Sequence, residues 1–297
     1  MNSSLVGPVM ALAGAFMLAI ELMFIRKATV KGRSFDAVLV SIWVNVAVFL
    51  PAFFLFHGFN FEFNTLSVAY FILSSLLGTV LGRIAFYAST KRIGASLTAP
   101  ISQANLLVAT IFGIVVLEEA ITGGHLGGIF ILLVGVVVVS YEIERNGGRG
   151  AELVPRVELL LPFSTVLLFG LSAPLFKMGL NEGTPLLGGF ALKSVSALVG
   201  VASYSLAKGF SPLRPFYTDQ RRTFAIASVA QTAGFFLIYS ALGFADVVAV
   251  APFQNMQPFF VLLMSYFFLG HLEKITKRLA IGAILVVAGA IIIGVFM

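Results

Sequence analysis

Apolar residues fall in ten long runs, separated by short stretches rich in charge, glycine or proline. The runs cover roughly 6–25, 36–56, 67–89, 95–117, 124–141, 159–178, 186–204, 222–242, 247–269 and 276–296. Each has about 18–23 residues, enough at about 1.5 Å per residue to cross a hydrocarbon core of about 30 Å. The pattern predicts ten transmembrane helices. The longest polar interruption is Glu142–Glu158, with Asn146-Gly147-Gly148-Arg149-Gly150 at its centre. Its charges and glycines cannot stay in lipid, so it reads as a surface linker between two groups of five spans. The expected division is residues 1–141, a linker 142–158, and residues 159–297.

The two groups echo each other. Ala99-Pro100-Ile101-Ser102-Gln103-Ala104-Asn105 returns as Ala251-Pro252-Phe253-Gln254-Asn255-Met256-Gln257, and Tyr87 and Tyr239 share the same offset of 152. Glu119-Ala120-Ile121-Thr122 recurs as Glu273-Lys274-Ile275-Thr276, and Gly128 and Gly135 recur as Gly282 and Gly289. Lys27 and Lys177, and likewise Trp43 and Lys193, differ by 150. A unit of five spans crosses an odd number of times, so its second copy must enter from the opposite face. This is an inverted-topology repeat, an architecture typical of secondary transporters.

Composition agrees with lipid as the solvent. The chain is 59% hydrophobic and 11% charged, with mean hydropathy +1.02, whereas a soluble domain is nearer a quarter charged. Its net charge of +6 is therefore read as topology and not as a nucleic-acid footprint. Sixteen of the 19 basic residues fall in loops on one face: Arg26, Lys27, Lys31, Arg33, Lys91, Arg92, Arg145, Arg149, Arg156, Lys208, Arg214, Arg221, Arg222, Lys274, Lys277 and Arg278. The other face carries Glu62, Glu118, Glu119, Glu182 and Asp246. The positive-inside rule then predicts a multi-pass cell-membrane protein with basic loops in the cytoplasm and both termini outside. The N-terminal Met1-Asn2-Ser3-Ser4 has no basic signal-peptide region, and the run after it has the length of a span. Disulfides are excluded by the absence of cysteine, and His57, His125 and His271 form no ligand cluster.

Two five-span halves, each with Ala-Pro early in its fourth span and Glu-x-x-Thr before a glycine-rich fifth span, resemble the EamA-type members of the drug/metabolite transporter superfamily. Phe169-Gly170-Leu171-Ser172-Ala173-Pro174-Leu175-Phe176-Lys177 resembles the aromatic-Gly-small-small start of a half in that family. The first half departs from it. Ala19-Ile20-Glu21 stands where the aromatic-Gly pair would be, and Trp43 replaces the basic residue common in the second span. The resemblance implies an all-α bundle of ten helices, two inverted five-helix repeats around a central cavity, which moves small metabolites by alternating access.

Candidate chemistry lies where polar groups enter the runs. Glu21 is the one acid well inside a span, and an intramembrane carboxylate is costly enough to be a functional-site candidate. It can act as a proton-coupling or substrate group. It can equally form a structural or gating ion pair with Arg83, which lies at similar depth. Arg83 can hold an anionic substrate group or snorkel to the interface, and Lys193 has the same two options. Pro100 and Pro252 are expected to break their helices. The amides that follow, Gln103, Asn105, Gln254, Asn255 and Gln257, can bond neighbouring helices or line a polar cavity near mid-membrane. Gln231, Tyr87 and Tyr239 can add hydrogen bonds, and Trp43 can stack on a substrate or pack between helices.

The expected function is secondary transport of small organic metabolites, amino acids or similar solutes, in the direction of export. Alternatives are an organic-anion or sugar-phosphate exchanger, a proton-coupled multidrug or cation exporter, and a non-transporting scaffold or receptor. An enzyme is not expected: the spans hold no His-Glu-x-x-His, paired aspartates or Ser/His pair. No metal, nucleotide or haem cofactor is indicated. The expected partners are a small-molecule substrate, membrane lipid and protons as a candidate coupling ion, with no nucleic acid.

Overall fold

The computed structural model describes residues 3–58, 63–116, 123–146, 156–241, 244, 250, 253–270, 272 and 275–296. Pro252, Glu62, Glu119–Thr122, Asp246, His271, Glu273, Lys274 and the middle of the linker lie outside them. The described residues form helices and no strand. We number these α1 (Ser3–Thr29), α2 (Ser34–His57), α3 (Thr65–Ile93), α4 (Ala95–Ser102), α5 (Asn105–Val116), α6 (Gly123–Asn146), α7 (Arg156–Asn181), α8 (Leu186–Ala207), α9 (Arg221–Ala241), α10 (Gln257–Phe268) and α11 (Lys277–Phe296).

Eight helical segments are long and apolar enough to cross a membrane, with the stretch Ala95–Gly113 across α4 and α5 as one of them. The protein is a multi-pass membrane protein. Helix α10 is a shorter apolar helix of 12 residues, because the ninth apolar run is interrupted by a turn at Asn255 and Met256. Large apolar side chains point outward, including Leu55 at 82% exposure and Val115 at 72%. In lipid such positions are solvated as they stand. Serines and threonines inside helices return their hydroxyls to the preceding turn, as Thr29 does to the Ile25 carbonyl at 2.7 Å and Ser228 to the Phe224 carbonyl at 2.8 Å. The hydroxyls are thereby satisfied without water.

The repeat is visible in how the helices meet. Helices α6 and α11, the fifth spans of the two halves, cross antiparallel: Gly128 meets Gly289 and Ile293, and Gly135 meets Gly282 and Val286. A Cβ on Gly135 would sit 2.6 Å from the Val286 nitrogen, and one on Gly289 would sit 2.7 Å from the Gly128 oxygen. Only glycine allows these backbones to approach so closely. Helices α2 and α8, the second spans, are antiparallel too. Phe49 stacks on Phe190 with ring centroids 4.7 Å apart, and Phe35 lies 5.8 Å from Tyr204 nearer the other end. Contacts between unlike spans also come in mates. Helix α1 crosses α9 at Gly14, Leu18, Gly234 and Ile238, and α3 crosses α7 at Phe71, Gly82, Phe169 and Gly179. Equivalent helices of the two halves therefore run in opposite directions, as a five-span unit requires.

The fourth and ninth runs break at matching places. In the first half, Gln103 N–H donates to the Pro100 carbonyl at 3.2 Å and Ala104 N–H to the Ile101 carbonyl at 3.0 Å. These bonds reach back three residues instead of four, which closes α4 and lets α5 start again at Asn105. In the second half, Met256 N–H donates to the Phe253 carbonyl at 3.2 Å, the bond equivalent to Ala104–Ile101. Pro100 lacks the N–H that would bond back to Ser96, yet the helix runs through it to Ser102 before the break. Gly94 makes the one-residue corner between α3 and α4, with φ +98°, a region where a side chain is strained.

Candidate functional site

A cavity of about 410 Å³ lies where the broken helices approach each other. Its size is that of a small-molecule site. Nine of the ten candidate side chains line it: Glu21, Arg83, Gln103, Asn105, Lys193, Tyr239, Gln254, Asn255 and Gln257. They come from both halves of the chain. Trp43 is the exception. Helix α2 contributes nothing to the lining and stands behind α3 and α9, and the Trp43 indole nitrogen is buried with no hydrogen-bond partner among the described residues. Pro100 is buried within α4 and does not line the cavity.

The amides hold the broken helices to each other and to the bundle. Gln103 Nε2 lies 3.5 Å from the Asn255 carbonyl, joining the two breaks directly. Asn255 Nδ2 donates to the Ala290 carbonyl on α11 at 3.3 Å, and Gln257 Nε2 to the Leu18 carbonyl on α1 at 3.4 Å. These amides serve as helix-to-helix bonds and as cavity wall at once, so the two alternatives open in the sequence do not exclude each other.

Glu21 and Arg83 do not form the direct ion pair expected from their equal depth. Glu21 accepts a 2.6 Å hydrogen bond from the Tyr87 hydroxyl. Arg83 donates to Gln231 Oε1 at 2.7 Å and to Ser41 Oγ at 3.3 Å. The two charges interact electrostatically across the cavity wall without contact. The reason is local. Helix α3 carries a π-helical stretch at Ser75–Gly82, and Arg83 N–H bonds to the Gly78 carbonyl five residues back. The extra residue per turn rotates everything after it, so Arg83 faces α9 and α2 while Tyr87, one turn on, meets Glu21. Gly78 sits against Ser172, where a Cβ would come within 2.6 Å of the serine Cβ. The close approach of α3 to α7 thus fixes both elements of the wall.

Lys193 extends from α8 into the cavity. Its ammonium donates to Ser172 Oγ at 3.1 Å and lies 5.0 Å from the centroid of the Phe176 ring. Ser172 itself donates to the Ser74 carbonyl at 2.8 Å and is held in place. Lys193 is therefore anchored by protein and does not snorkel to an interface. Ser172, Phe176 and Phe235 are lining residues that the sequence did not single out. Ser172 and Phe176 belong to the aromatic-Gly-small-small motif, whose small residue at 172 was the available signal. Phe235 is the repeat mate of Arg83. Among the described residues no group of His, Asp and Glu is placed to hold a metal ion.

A family model described as the EamA-like transporter family matches residues 5–141 and again 156–295. The chain belongs to the EamA-like transporter family. It is accordingly a membrane transporter of the drug/metabolite transporter superfamily, with a small-molecule substrate. No curated protein matches the chain. A solved crystal structure, titled only as that of a protein, superposes with a TM-score of 0.60 over 98% of this chain and 96% of its own, at 14% identity. That likeness concerns the fold alone.

Proposed function

We propose that this EamA-like protein exports small organic metabolites, amino acids or similar solutes, across the cell membrane by alternating access, with the cavity as its transport site. One observation carries the reading: the broken helices of both repeats converge on a single cavity, with polar groups from each half in its wall. Breaks of this kind at mid-membrane are how transporters place hydrogen-bonding groups in an apolar bundle. The excess of basic residues in one set of loops supports cytoplasmic placement of that face, with both termini outside. A reporter fused to the C-terminus should then be active only in the external compartment, and cytoplasmic activity would reverse the orientation.

Uptake into proteoliposomes of a panel of labelled amino acids tests the reading. Saturable flux is expected for at least one, reduced by Asn105→Leu or Gln254→Leu. Flux of none, or flux indifferent to both variants, would contradict it. Glu21 is the candidate for proton coupling, since it is the acid in the lining. Glu21→Gln should flatten the dependence of flux on a pH gradient. An unchanged dependence would leave Glu21 as a structural acceptor for Tyr87.

A further inference from the structure

The charges of the cavity do not balance. Its charged lining side chains, among the described residues, are Glu21, Arg83 and Lys193, two bases and one acid. The acid already has a donor in Tyr87, and Arg83 is directed onto Gln231 and Ser41. Among the described residues Lys193 has no carboxylate beside it. Its contacts are one hydroxyl, Ser172, and one aromatic face, Phe176. An ammonium has three N–H donors, and one goes to Ser172, so the remaining two are available to the cavity that Lys193 lines. A cation in a low-dielectric bundle without a counter-charge is unfavourable, and a bound anion relieves it.

We propose that Lys193, oriented by Ser172 and flanked by Phe176, binds the carboxylate of the transported solute, so that the cavity takes small organic monocarboxylates with an apolar body. The inference rests on the cavity being the transport site. With Glu21 ionised, the charge count selects the ligand: one carboxylate brings the lining to neutrality, whereas a phosphate dianion leaves it net negative and an organic cation adds to the surplus. The apolar body follows from the rest of the wall, where Leu18, Phe169, Phe176, Phe235 and Ile238 stand beside the polar groups. Among amino acids and similar solutes, the favoured members are therefore those with one carboxylate, no ammonium and an apolar body.

Thermal shift of the purified full-length protein tests the subsite with hexanoate and phenylacetate, each beside its carboxamide, and with phenethylamine. The carboxylates should raise the melting temperature, and the carboxamides and the amine should not at equal concentration. Lys193→Gln should weaken carboxylate binding on the order of tenfold to a hundredfold, the loss expected for a hydrogen bond to a charged group, and Lys193→Arg should retain most of it. The wild-type comparison stands even if a variant fails to fold. Equal shifts from acid and amide, no shift from either acid, or full binding by a folded Lys193→Gln would each overturn the proposal. Amino-acid flux that still depends on Asn105 or Gln254 would then leave the transport reading intact, whereas loss of both results would remove the cavity itself as the site.

Discussion

The two halves of the protein share a backbone plan and differ in the charges they bring to the cavity. Both break their fourth span at the same place, and the break is fixed by the same backbone bond, Ala104 to Ile101 in one and Met256 to Phe253 in the other. Gln103 faces Asn255, its own repeat mate, across the contact between them. The charged residues have no such mates. Arg83 corresponds to Phe235, and Lys193 to Trp43, which lies outside the cavity. Tyr87 bonds Glu21, whereas its mate Tyr239 packs its ring against Phe190 at 5.0 Å. The symmetric features are those that let helices pack and break. The asymmetric ones are those that can distinguish one solute from another. A transporter with two equivalent halves needs the first set in duplicate for movement, while a solute with unlike ends needs the second set only once.

The comparison can be broken experimentally, first at its symmetric part. Gly135→Leu and Gly282→Leu meet across the same crossing of α6 and α11, so each should cost about 3 kcal/mol or more by overpacking. Both should lose the monodisperse peak in size-exclusion chromatography to a similar extent. A benign result at one of them would show that the halves do not share this contact.

The charged residues come next. Arg83→Gln strands its partners Gln231 and Ser41 in a buried wall and should lower stability by about 2–3 kcal/mol. Phe235→Leu at the equivalent site breaks no hydrogen bond and should mainly alter solute preference. Thermal melts and flux assays on the pair separate a stabilising role from a selective one. The repeat mates Tyr87 and Tyr239 give the finest contrast. Tyr87→Phe removes the hydrogen bond to Glu21, worth about 1.5–2 kcal/mol for a charged acceptor. Tyr239→Phe keeps the aromatic packing and should change stability by less than about 0.5 kcal/mol. Equal melting temperatures for the two variants would remove the claimed asymmetry at this layer.

Much of this arrangement was legible in the sequence because lipid makes the code simple. Hydropathy marked the eight helical segments long enough to cross a membrane, against ten expected, and the recurrence of Ala-Pro followed by amides marked the two breaks. The recurrence of the glycines marked equivalent positions in the two fifth spans, and the structure brings these together at the α6–α11 crossing. What hydropathy does not carry is rotation about a helix axis. Equal depth is what the sequence implies for Glu21 and Arg83, yet depth says nothing of azimuth, and the π-helical turn at Ser75–Gly82 redirects Arg83 to Gln231. No proline marks that turn. Its sequence reads Ser-Leu-Leu-Gly-Thr-Val-Leu-Gly and passes for ordinary helix. Of the two alternatives open for Trp43 the structure has the packing one: its repeat mate Lys193 reaches the cavity, but α2 is set behind its neighbours. The contribution of Ser172 depends on a contact between distant spans, and a lone serine in an apolar run gives little sign of it.

The central claim is that the two broken helices enclose the solute path. The chain has no cysteine, so a single Asn105→Cys variant can be labelled with a water-soluble maleimide in sealed proteoliposomes, with Trp43→Cys as the comparison. Labelling at position 105 that is slowed by a transported solute, with position 43 unreactive, is the predicted result. Labelling at 105 that ignores solute, or reactivity at 43 protected by solute instead, would contradict it.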